Sequence, residues 1–167
     1  MQATIKKCFE RNARALKLRP ALGRGTATTT VRLVEGVACE IEDGPWKLNV
    51  DLSAKSGGSG AAPDPGVYGR GALGACMAIC YAQWAARRDL PLDDLRVEVE
   101  ADYDARGMFG VGDVIADYTA IRCRVTVRSP APDEQIESVL AEAEEHCNYL
   151  NVFTRAREIQ RDLCIER

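Results

Sequence analysis

The chain has 167 residues, of which 46% are hydrophobic and 28% charged, with a formal net charge of −3. That length fits one domain able to bury its own core, and the acidic balance gives no general attraction to phosphate backbones. No apolar run approaches membrane-spanning length and the first residues lack the apolar stretch of a secretory signal, so a cytoplasmic protein without a membrane or nucleic-acid partner is expected.

Residues 3–18 read as a helix with Ile5, Phe9 and Leu16 on one side, closed by Pro20. Its cations Lys6, Lys7, Arg11, Arg14 and Lys17 read as a solvated face. A β-branched run, 26–34, is followed after Glu35-Gly36 by a second strand, 37–41, and after Asp43-Gly44-Pro45 by the alternating 46–52. These strands predict an antiparallel meander with one face in the core. Residues 1–25 are then a helical extension and residues 26–167 the main body of a single domain.

Residues 53–65, with Gly57, Gly58, Gly60, Pro63 and Pro65, are too broken for regular structure and predict a hinge loop. A long helix follows over 67–88, small or apolar on nearly every side, whose glycines predict close backbone approach. Strands are expected at 95–103 and 118–128, with a glycine-rich loop from 106 to 113 between them. Asp133 opens an amphipathic helix with Ile136, Val139, Leu140, Ala143 and Cys147 inward. Leu163 and Ile165 predict a final strand. Strands, long helix, strands, helix, strand is the order of an α+β fold rather than a parallel sheet.

Gly69-Arg70-Gly71-Ala72-Leu73-Gly74 has the letters of a dinucleotide-binding fingerprint. That motif needs a strand running into the turn and a helix starting at the glycines. Here Ala61-Ala62-Pro63-Asp64-Pro65-Gly66 precedes it and the helix starts earlier, so no nucleotide cofactor is expected.

Seven cysteines (Cys8, Cys39, Cys76, Cys80, Cys123, Cys147 and Cys164) are an odd, irregular set, unlike a secreted disulfide scaffold. Cys76 and Cys80 share a helix face, but the spacing is not C-x2-C and no second pair matches, so no metal is expected. A bridge between them is awkward on a rigid helix. Cys76 and Cys147 form a redox couple if the fold joins them and a cation such as Arg70, Lys47 or Lys55 lowers a thiol pKa. They read equally well as two inert buried thiols. Cys8, Cys39, Cys123 and Cys164 read as structural. His146 is placed to offset a helix C-terminal dipole and has no catalytic role.

Asp64-Pro65 through Ala75-Cys76-Met77-Ala78, after a glycine-rich loop, resembles the start of the central helix of the OsmC/Ohr family. Glu144-Glu145-His146-Cys147 resembles that family's second cysteine segment, and the element order is similar from about Thr26 onward. The resemblance implies antiparallel sheets packed around a long central helix in an intertwined homodimer. It implies a thiol peroxidase that reduces organic or fatty-acid hydroperoxides, with Cys76 peroxidatic, Cys147 resolving and an external dithiol as reductant. No cofactor or metal is implied. The chain departs from the peroxidatic pattern at Gly66, where those members carry Glu, at Asp51, which takes the place of an activating Arg, and at Asn148, where proline is usual. A carboxylate near Cys76 would raise its pKa. Those departures fit a peroxidase-inactive dimer that binds an apolar or acyl ligand, and buried thiols in a structural dimer are the third reading.

Overall fold

Short turns and alternating β-branched residues make a meander of β1 (Thr30–Glu35), β2 (Ala38–Asp43) and β3 (Trp46–Val50), as seen in a computed structural model that describes residues 1–167. Both pairings are antiparallel, with Val31 opposite Ile41 and Ile41 opposite Leu48. The register puts Val31, Leu33, Ile41, Leu48 and Val50 on one face, and Arg32, Glu40, Glu42 and Lys47 on the other. The expected core placement of the apolar face is not realised within the chain. Val31, Leu33, Trp46 and Leu48 are exposed, and only Val50 at the end of β3, next to the Tyr68–Asn49 hydrogen bond, is buried. Thr26 to Thr29 stay outside β1, since pairing begins where Thr30 meets Glu42.

Asp64 starts the central helix α2 (Pro65–Arg87) by accepting a hydrogen bond from the Val67 N–H at 3.1 Å, with Pro65 preorganised in the first turn. The helix therefore begins ahead of Gly69 and Gly71, which are helical rather than a phosphate-binding turn. Beyond α2, Asp89 turns the chain away: its left-handed backbone (φ 54°) lets Leu90 N–H bond to Ala85 O at 2.8 Å.

One side of α2 packs on β4 (Asp94–Tyr103), which pairs with β5 (Tyr118–Arg128). Leu95, Val97 and Val99 face the helix, and Gly74 is the reason it can come so close: a Cβ there would lie 3.2 Å from Val99 Cγ2. The close approach is to a strand. On the outer face Glu100 stands opposite Arg122, which also binds Asp102. The loop between these strands holds one helical turn, α3 (Ala105–Met108), inside the stretch expected to be irregular.

α4 (Asp133–Glu145) buries Val139 and Ala143 against α2. Asp133 lies in its first turn, where its charge favours the helix dipole, while Pro132 occupies the cap position. A short helix, α5 (Asn148–Thr154), follows; the apolar pattern of the sequence does not separate it from α4. Residues 155–167 carry no regular structure, so the strand expected around Leu163 and Ile165 is absent: no strand edge of the chain pairs with it.

The N-terminal helix α1 (Gln2–Leu18) lies against the C-terminal end of α2. Phe9 meets Trp84 edge-on at 5.6 Å, Arg87 stacks over the Trp84 ring at 4.4 Å, and Lys6 pairs with Asp89. The core thus runs along α2 through Leu73, Met77, Tyr81, Trp84 and Ala85, reaching Leu90 just beyond it.

Candidate active site

Cys76 projects from the middle of α2, half-buried. Cys147 reaches it from the break between α4 and α5. α4 stops at Glu145, His146 caps it, and Cys147 caps α5, its carbonyl accepting from Asn151 N–H at 3.0 Å and Asn151 Nδ2 at 2.8 Å. The break turns the Cys147 side chain inward, only 1% exposed, with its Sγ 3.7 Å from Cys76 Sγ. Two thiols 71 residues apart are thus in van der Waals contact and not bonded. They need to close by about 1.7 Å to reach disulfide length.

Cys80 joins them one helical turn along α2. It is buried, and its thiol donates to Ala143 O at 3.1 Å. Burial, reinforced by the neighbouring sulfurs of Cys147 and Cys76, pushes its pKa up to about 11. Burial also raises the Cys147 pKa, as does the sulfur of Cys76, while the backbone N–H groups of Leu150 and Tyr149 at the start of α5 oppose the rise. The four-residue spacing from Cys76 is the sequence signal for Cys80, and it points to proximity rather than to a bridge within α2.

The candidate cations lie elsewhere. Arg70 leans toward the helix N-terminus, donates to Tyr118 OH at 3.3 Å, and places its Nη1 2.9 Å from where a Gly66 side chain would start. Gly66 is about 15 Å along the helix axis from Cys76. Lys47 pairs with Glu42 across the meander, and Lys55 is exposed in the loop after β3. No hydrogen bond or ion pair joins any of the three to Cys76.

Asp51 is also accounted for by other partners. It is 3% exposed and accepts from Leu52 N–H at 2.8 Å, Ser59 N–H at 3.0 Å, Ser59 Oγ at 2.6 Å and Ala61 N–H at 3.1 Å. The Ser59 hydroxyl, foremost among these donors, holds its pKa down to about 2. The loop closes so tightly around it that a Cβ on Gly58 would lie 2.0 Å from Leu52 O. Asp51 organises the glycine-rich loop and makes no hydrogen bond to either sulfur. His146 stacks on Trp84 with centroids 4.7 Å apart and rings 6° from parallel, so its imidazole faces the aromatic cluster and makes no hydrogen bond to Cys147.

Cys123 and Cys164 are exposed and Cys8 and Cys39 half-buried, and none hydrogen-bonds to the central sulfurs. Cys164 lies in the irregular C-terminal stretch, not in a strand.

Residues 57–161 match the family model of OsmC-like proteins, a stretch that includes the glycine-rich loop, Cys76 and Cys147. The chain belongs to the OsmC-like family. Solved structures agree with this assignment. An OsmC-like protein from Mycoplasma pneumoniae superposes with a TM-score of 0.68 at 15% identity, over 78% of this chain and 88% of that one. An organic hydroperoxide resistance protein OsmC from Legionella pneumophila gives 0.52 at 20% identity, over 77% and 89%. An OsmC-like hydroperoxide resistance protein from Jannaschia sp. CCS1 gives 0.53 at 20% identity, over 81% and 89%. Curated protein sequences give no significant match. At these identities the superpositions establish the OsmC-like α+β fold, and α1 lies ahead of the stretch matched by the family model. No helix is long and apolar enough to cross a membrane.

Proposed function

We propose that this OsmC-like protein is a cytoplasmic thiol peroxidase that reduces organic or fatty-acid hydroperoxides through Cys76 and Cys147. The observation that carries this reading is the 3.7 Å contact between their sulfurs. The more accessible thiol sits on the helix, and the buried one stands behind it. Relatives of the same fold are described as hydroperoxide resistance proteins.

In the first step the Cys76 thiolate attacks the terminal peroxide oxygen. The S–O bond forms, the O–O bond breaks, and the alkoxide leaves as the alcohol after taking a proton. Cys147 then attacks the sulfenic sulfur of Cys76 and the hydroxyl departs as water, leaving a disulfide. An external dithiol restores both thiols by two exchange reactions, so each hydroperoxide consumes one dithiol. The buried, high-pKa Cys147 remains a thiol until its neighbour is oxidised, which suits a resolving partner.

The working unit in this reading is a homodimer. The apolar face of β1–β3, with Leu33 64% and Trp46 70% exposed, suits a second copy of the chain. In that dimer a cation for Cys76 would come from the partner, since neither Arg70 nor Lys47 bonds to it within this chain.

The test is one equivalent of cumene hydroperoxide added to the reduced protein. Wild type is expected to lose two thiols per hydroperoxide, and Cys147→Ser is expected to stop at a Cys76 sulfenic acid that dimedone traps. Loss of no thiol within minutes rejects the reading. Gly66 and the distant Arg70 favour a second reading, a peroxidase-inactive dimer that holds an apolar or acyl ligand; native mass spectrometry showing a bound acyl species with no thiol loss selects it.

A further inference from the structure

The redox reading leaves one nucleophile of the site unused. Cys80 lies on α2 one turn from Cys76, on the same helix face, and its sulfur is held by the Ala143 carbonyl at 3.1 Å. Ala143 belongs to the last turn of α4, which leads through His146 to Cys147. Cys76 and Cys80 therefore approach the Cys147 region from adjacent turns of one helix, Cys76 at its sulfur and Cys80 at the Ala143 carbonyl four residues before it. The other four cysteines take no part.

Resting on the Cys76–Cys147 couple, we propose that Cys80 is a third redox thiol, which attacks Cys147 Sγ in the Cys76–Cys147 disulfide and transfers the bridge to Cys80–Cys147. The step is a thiol–disulfide exchange with no net oxidation. The Cys80–Cys147 bond forms, the Cys76–Cys147 bond breaks, and the electron pair leaves on Cys76 Sγ. The proton lost by Cys80 ends on Cys76 or in solvent.

Attack requires the Cys80 thiolate, and burial holds its pKa at about 11. Exchange is therefore slow at neutral pH, and it accelerates about tenfold per pH unit below that value. A thiol of high pKa is a strong nucleophile once ionised and a poor leaving group, so the bridge is held once it has moved. The disulfide is then withdrawn to the buried side of α2, and Cys76 is free to meet a second hydroperoxide while the first oxidation is still stored. A chain without Cys80 stores one disulfide and stops.

The sequence provides a clean assay. Met77 lies between Cys76 and Cys80, so cyanogen bromide followed by trypsin puts Cys76 on peptide 71–77, Cys80 on 78–87 and Cys147 on 129–155, each with a single cysteine. The reduced protein is oxidised briefly with diamide, which makes the disulfide without any peroxide chemistry. It is then incubated at pH 7 and pH 9, blocked with N-ethylmaleimide, cleaved and mapped by mass spectrometry.

Wild type is expected to show the 71–77/129–155 link first and the 78–87/129–155 link later, with faster conversion at pH 9. Cys80→Ser keeps the first link indefinitely, and Cys76→Ser gives the 78–87/129–155 link directly. Persistence of only the 71–77/129–155 link in wild type after hours at pH 9 overturns the proposal, as does failure of Cys147 to form either link. If diamide gives both links while cumene hydroperoxide gives neither, the exchange stands and the peroxidase reading falls.

Discussion

Arg70 and Gly66 share one patch of space at the start of α2. The guanidinium lies 2.9 Å from where a side chain on residue 66 would begin, and its hydrogen bond goes to Tyr118 OH. A long cation at this end of the helix fills the place where peroxidatic relatives carry Glu, and it points away from Cys76. Arg70→Ala is therefore expected to change the iodoacetamide rate of Cys76 by less than about twofold, because Arg70 lies about a Debye length away along the helix. A tenfold loss of rate would place Arg70 at the thiol after all.

Asp51 ties the glycine-rich loop to the end of β3, and its effect is pH-dependent. Its pKa is lowered from an ordinary 3.8 to about 2, so the stability it adds is fully present above pH 4 and is lost as pH falls toward 2. Urea melts between pH 6 and pH 2 should show that decline in wild type and a shallower one in Asp51→Asn. The variant should also be cut several-fold faster by trypsin after Lys55, since one of the two carboxylate oxygens that accept from Leu52, Ser59 and Ala61 N–H becomes a donor. Identical acid profiles would contradict this assignment.

The aromatic cluster at the end of α2 joins the N-terminal helix to the second cysteine segment. Phe9 packs on one side of Trp84, His146 stacks on its face, and Trp84 is buried. Trp84→Ala is expected to cost about 3–5 kcal/mol in urea melts. Phe9→Ala removes a partly buried ring, is expected to cost less, and should release α1 to proteases while the rest of the chain stays folded. Equal losses for the two variants would mean that α1 is not a separable addition.

Much of this fold is legible in the residues themselves. Strands 95–103 and 118–128 follow from alternation, and the helix through Cys76 from its small and apolar run over 67–88, although its start at Pro65 with Asp64 as cap lies in the stretch read as loop. The pairing of Cys76 with Cys147 comes through family resemblance, because periodicity alone cannot bring residues 71 positions apart together. The break at His146–Cys147 is hidden: α5 begins with no polar capping side chain, only the thiol. Asp51 reads from the sequence as standing in an activating position, and its role in tying the loop is hidden, since a buried carboxylate satisfied by Ser59 and by backbone N–H groups leaves no periodic trace. Leu163 and Ile165 alternate like a strand, but no edge of either sheet pairs with them.

The meander face makes its own prediction. Light scattering should give a solution mass near twice the chain's 18.2 kDa. Leu48→Glu, which puts a charge into the exposed apolar face, should shift the equilibrium toward monomer. A wild-type monomer at micromolar concentration would remove the dimer from the account.

The central claim is that Cys76 and Cys147 act together on hydroperoxides, and steady-state turnover of cumene hydroperoxide with a dithiol reductant tests it most directly. Cys76→Ser should lose turnover by at least about a hundredfold, as removal of a covalent nucleophile does. Cys147→Ser should retain the first oxidation step while losing turnover with the dithiol. Cys76→Ser turning over as fast as wild type would contradict the account.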